Sequence, residues 1–347
     1  ADCAMFGPRR ERFLRGGLVA AEREAAGLSA LSSEVAIALA PLPSRSRSGS
    51  LQPAVPLSEL DDILFTAMRA NGISPTDLST DQEFLRRVTL DLTGRLPTAP
   101  ELVSFLNDTS PTKRGTLVER LLASPAWVDK WTMYFGDLFG NAARTTQVVR
   151  FADGRNAFYN YLRSSLQQNK PYDQLARELI GATGSNSYQQ GELNFLIGGF
   201  TTGGPLQDTF DRQAADSAQI FLGLSHMDCL LCHDGRGHLD GLSLWGRTST
   251  RSQAWGFAGF FARTQLVRTP VTPGQPNPYY WAVQDNTARA RTDYTLNTTT
   301  GNRPERQPRP GQSRTVAPVY PFTGRGPNPG EPYRTAAARE ITADFQF

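Results

Sequence analysis

The sequence predicts a mainly α fold, a helical domain carrying a C-x-x-C-H segment and flanked by long irregular Pro/Gly-rich arms. Three observations carry this. Apolar residues recur at helical spacing almost without interruption from 57 to 182. Glycine, proline and Ser/Thr signals cut that stretch into short segments, as helix starts and stops do. Strand-like pieces are few and short, chiefly Tyr279–Val283 and 292–295.

In chain order, residues 8 to 40 are rich in Arg, Ala, Leu and Glu and read as one or two helices with a weak Leu14, Leu18, Ala21, Ala25 stripe. Residues 41 to 56 read as a Pro/Ser/Arg linker. Leu57 to Ala70 is helical by periodicity. Asp81 to Leu92 places Phe84, Leu85, Val88 and Leu92 on one face, and Gly94 and Pro97 end it. Thr98 caps a helix through Leu106, with Glu101 in the capping-box position. Ser110-Pro111 and Ser124-Pro125 open two more, since proline is tolerated in a first helical turn. The second of these bears an aromatic series from Trp127 to Phe139, which is either core or a wall for a cofactor. Segments 154–168 and 171–180 continue the pattern. A Gly/Ser/Asn-rich stretch, 183–207, surrounds a short apolar run at Phe195–Phe200. A helix capped near Asp208-Thr209 leads to the motif, and another spans Ser252 to Arg263. From Val271 to Pro332 the chain is irregular, long for a loop in a compact domain, and suited to wrapping a core or a partner. Thr335 begins a last helix.

Composition narrows the function classes. A net charge of +3 is too small to suggest nucleic-acid binding. No apolar run reaches transmembrane length. Lysine is scarce, so arginine supplies nearly all the positive charge, in a form suited to forked hydrogen bonds with carboxylates or propionates. The start at Ala1-Asp-Cys3, without methionine, reads as a processed, exported end.

The chemistry concentrates in Cys229-Leu-Leu-Cys232-His233, the C-x-x-C-H spacing of covalent haem c attachment. The two thiols suit thioether formation with the haem vinyl groups, and His233 follows as the proximal iron ligand. The distal candidates are His226, His238 and Met133, with Met68 behind them. His238 is limited by reach, since five extended residues span at most roughly 17 Å. Other chemistries remain open for the same residues. Cys229, Cys232 and His238 with Cys3 or His226 suit zinc. The two cysteines also suit a redox dithiol, which needs a β-α-β setting, or a plain disulfide.

Ordered blocks resemble a secreted bacterial family of unknown function found beside planctomycete-type cytochrome c domains. They are Asp81 to Thr98, Lys113 to Pro125, Asn169 to Asp173, Cys229 to Asp240 and Ala258 to Ala262. The resemblance covers roughly 57 to 265. It implies a secreted protein with a c-type haem and no known reaction. The stretch from Arg334 to Phe347 resembles the beginning of a companion domain usual in the same chains.

These readings give an N-terminal arm and linker at 1–56, a helical domain with the motif at 57–265, and an irregular extension at 266–347. The expected function is electron transfer by a periplasmic or extracellular-facing bacterial monohaem protein with one covalent haem c, a subunit of a larger redox assembly with other proteins as partners and peripheral membrane association through them. Two alternatives stand beside it: an accessory subunit whose motif holds a disulfide or zinc, and a secreted haem enzyme. No nucleophile–base or carboxylate pair points to a specific catalytic reaction.

Overall fold

In the computed structural model the described residues are 58–74, 78–286, 293–298, 301, 303–308 and 310–343. The expected helices at 8–40, the linker and Cys3 lie outside them. The fold is mainly α, as its periodicity predicts: twelve α-helices and two small two-stranded sheets among the described residues. The chain divides into two units, one of residues up to 88 with 97–114, the other of 89–96 with 115 onward.

In the first unit, helix α1 (Glu59–Ala70) is capped by Ser58, carries acids in its first turn and Arg69 in its last, and buries none of its residues. Helix α2 (Asp81–Thr93), which starts in this unit and ends in the second, begins at Thr80, whose hydroxyl accepts from the Glu83 amide while the Glu83 carboxylate accepts from the Thr80 amide. Helix α3 (Ala99–Asn107) has the capping box read from Thr98 and Glu101. Asp81 meets Lys113 and Arg114, each at 2.7 Å. These two cations also lie over the stacked Phe105 and Phe84 rings.

Helix α4 (Lys113–Leu122) runs from the first unit into the second. In the second unit, Ser124 caps α5 (Pro125–Leu138), which packs on α6 (Phe151–Gln167). Phe139, just past α5, is the centre of an aromatic cluster. Its ring centroid lies about 6 Å from those of Phe158, Phe195 and Phe221. The cluster ties α6 to α8 (Leu193–Gly198) and α9 (Leu206–Leu222). The short apolar run at 195–200 is therefore helical and buried over most of its length.

Helix α7 (Tyr172–Ile180) buries Leu175, Ala176, Leu179 and Ile180 and packs on α12 (Tyr333–Ala343), the terminal helix expected from Thr335. Strands β1 (Thr264–Pro270) and β2 (Tyr279–Asp285) pair antiparallel from Thr264–Asp285 to Pro270–Tyr279. β2 contains the strand expected at Tyr279–Val283. β1 is an addition that its Gln, Arg and Pro residues conceal. Trp281 is buried and donates from Nε1 to the Val149 carbonyl at 2.9 Å.

The irregular extension folds back on its own chain. Arg306 is fully buried, pairing with Asp208 at 2.7 Å and Asp211 at 2.5 Å. Tyr294, in β3 (Tyr294–Thr295), donates to Asp211 at 2.6 Å and accepts from Arg306. β3 pairs with β4 (Thr315–Val316). Arg334 is also buried, donating to the Ala182 carbonyl and to Asp285. Buried arginines thus fasten these segments alongside apolar residues such as Leu296, Tyr320 and Ile341.

Candidate functional site

Helix α9 ends at Gly223, which adopts the left-handed conformation (φ +67°) open to glycine, its amide donating back to Ala218. The reversal leads through His226 into α10 (Met227–Leu230). Met227, Leu230 and Leu231 are fully buried and anchor the segment from beneath. The Cys229 carbonyl accepts from the amides of Cys232 at 3.0 Å and His233 at 3.3 Å. Cys229, Cys232 and His233 are therefore one helical turn apart and share a face, each half-buried.

Around that face the second unit supplies a frame of polar contacts. Asp234 accepts from the Arg251 amide at 2.7 Å, at the start of α11 (Arg251–Gly259). The Arg251 guanidinium donates to the Leu231 carbonyl and to the carbonyls of Pro304 and Glu305, and lies over the Trp255 ring. Arg303 donates to the carboxylate and carbonyl of Asp228, stands 3.4 Å from Asp211, and places Nη1 3.7 Å from the Cys232 sulfur. Trp255, Phe257, Phe260 and Phe261 are buried, and their helix packs against α9 and α10.

The donor set fits a c-type haem on chemical grounds. The two thiols are not joined in a disulfide. His233 Nδ1 faces the Asp234 carbonyl at 3.3 Å, a contact of the kind that orients an imidazole. Burial, with His238 and Arg251 nearby, pushes the His233 pKa down although the Asp234 carbonyl opposes it, favouring the neutral ring a ligand must present. A haem held there would supply a one-electron couple at its iron.

The distal candidates are placed as follows. The His238 ring lies beside that of His233, centroids 4.2 Å apart and tilted by 33°. Two imidazoles trans across one metal have centroids about 6 Å apart, given metal–nitrogen distances near 2 Å. The observed stacking therefore places His238 alongside the His233 ring rather than opposite it. His226 is half-buried at the entry to α10. Met133 is 58% exposed on α5, so it is neither core nor directed inward. Met68 is half-buried on α1, in the first unit. The aromatic series of α5 reaches α9, the helix that precedes the motif, at Phe221, directly from Phe139 and from Phe135 by way of Tyr172, while Tyr134 is largely exposed.

The other chemistries find less support. Among the described residues no three His, Cys, Asp or Glu side chains converge to hold a metal ion. The motif follows a 17-residue helix, not a buried strand, so the β-α-β setting of a redox dithiol is lacking. Sequence reading missed Asp228, Arg251 and Arg303. The scarcity of lysine beside abundant arginine was the available signal, but it does not say which arginine meets which carboxylate.

Neither the curated proteins nor the solved structures contain a match to this chain. A family model does match residues 59–265, which is more than half of the sequence and includes the motif. The chain belongs to the PSCyt2 family, a planctomycete cytochrome c-related protein family of unknown function (DUF1549).

Proposed function

We propose that this is an extracytoplasmic c-type monohaem protein that transfers electrons within a larger redox assembly. The observation that carries the reading is the single helical turn bearing Cys229, Cys232 and His233, with His233 oriented through Nδ1. In this reading Cys229 and Cys232 tether the macrocycle and His233 Nε2 ligates the iron. Arg251 and Asp234 hold the turn in place, and the Trp255–Phe261 wall keeps water from one side. Location outside the cytoplasm, on the periplasmic or outer face of a bacterium, follows from the attachment chemistry. Partner subunits follow from the need for an electron donor and an acceptor. The extension at 303–306 is committed to its own chain through Arg303 and Arg306, which weakens the alternative of an arm draped over a partner.

The test is a pyridine haemochrome spectrum with intact mass on protein from an exporting host. A c-type band with one added haem mass is expected, and both should vanish in Cys229→Ala/Cys232→Ala. A mass equal to the bare chain overturns the proposal.

A further inference from the structure

Beyond the motif, the second unit contains a cavity of about 570 Å³, within the range of small-molecule sites. Phe139, Phe195 and Phe200 contribute apolar wall. Its charged lining is three arginines, Arg150, Arg212 and Arg303, against four aspartates. Three of those aspartates are engaged. Asp216 pairs with Arg212, Asp228 with Arg303, and Asp208 with the buried Arg306. The fourth, Asp137, is exposed to solvent and correspondingly screened.

Arg150 differs from the other two arginines. Only 1% of it is exposed, and its guanidinium is held by the carbonyls of Gly140, Ala142 and Asn194. None of these partners is a carboxylate, and Nε is buried with no hydrogen-bond partner. Burial pushes its pKa down to about 10, with only the more distant Asp216 opposing. A buried cation with neutral partners and an idle donor is costly to keep. The next residue, Phe151, has φ +56°, a conformation disfavoured for a bulky side chain, and it leads directly from Arg150 into α6. The fold thus bears two local costs to hold this guanidinium against the cavity.

We propose that the cavity binds a monocarboxylate with an apolar body, with Arg150 as the anchoring cation. One uncompensated arginine calls for one negative charge, and the neighbouring aspartates repel a dianion such as phosphate. The aromatic wall accepts the apolar part. Two sources supply this chemistry. One is a free organic acid. The other is a propionate of the haem proposed above, because Asp228 and Arg303 belong both to the cavity lining and to the frame of the motif. The second source rests on the haem reading and the first does not.

The test is calorimetric titration of the full chain with phenylacetate, using phenylacetamide as the uncharged control. Protein without haem is expected to bind the acid saturably, and Arg150→Gln to weaken it at least about tenfold. Thr146→Glu adds a carboxylate at an exposed position of the lining, and is expected to weaken binding similarly should Arg150→Gln not fold. If haem-loaded protein excludes phenylacetate and Arg150→Gln alters the pH dependence of its midpoint potential, a propionate is the occupant. If both forms bind, the occupant is a free acid. A chain shown by mass to lack haem altogether leaves the titration valid. Equal binding of acid and amide overturns the proposal. So does absence of binding together with, in haem-loaded protein, a potential indifferent to Arg150→Gln.

Discussion

A methyl group on Gly235 would come within 1.7 Å of the Gly246 carbonyl oxygen, a backbone atom with nowhere to move. Gly235 also donates to Ser249 at 2.9 Å, so the residues after the motif are locked to the start of α11. Gly235→Ala is expected to destabilise the protein by about 1–3 kcal/mol or more and to lower haem incorporation in parallel. Urea unfolding and haem-to-protein ratio measure the two. A variant as stable as the parent would mean that the loop yields easily.

His238 offers a second prediction. Because its ring stacks beside that of His233, His238→Ala is expected to leave haem attachment intact and the spin state unchanged. His233→Ala is expected to abolish proximal ligation. Absorption and electron paramagnetic resonance spectra of the two variants check this. A change from low to high spin in His238→Ala would place that imidazole on the iron after rearrangement.

Arg306 is fully buried between Asp208 and Asp211, with Tyr294 completing the cluster. Removing one member leaves an uncompensated buried charge. Arg306→Ala is expected to cost about 3–5 kcal/mol, measured by denaturant unfolding. Asp211→Asn should cost much less once Arg306 is absent, and a double-mutant cycle reads that coupling.

Asp81 gives the pH dependence. Lys113 and Arg114 hold its carboxyl below the ordinary aspartate value of 3.8. A depressed carboxyl contributes stability above its unfolded pKa and loses it as pH falls through the folded value. Asp81→Asn is therefore expected to be less stable than the parent at neutral pH. The two stability curves should converge in acid, below pH 3.8. Parallel curves would show that the pair is fully screened.

Much of this structure was legible in the sequence, and the boundary follows the range of the interactions. The caps at Thr98 and Ser124 and the helices they open are local, fixed by a side chain and an amide three residues away. The motif is equally local, and its face follows from helical spacing. What escaped depends on distant pairing. β1 forms because Leu266 and Val267 meet Val283 and Ala282, and its own composition reads as loop. The helix expected from Ser252 to Arg263 ends at Gly259, and Thr264 already enters the hairpin. The cap expected at Asp208 is absent because that side chain serves Arg306, 98 residues on, and the helix starts at Leu206 instead. Chain reach limits where His238 can go, but no spacing rule foretells its stacking on His233.

The contact of Arg303 with Cys232 spans 71 residues of chain. A polypeptide delivered N-terminus first therefore presents both thiols before the arginine that covers one of them has emerged. The order of translation therefore separates the appearance of the thiols from that of the guanidinium beside one of them.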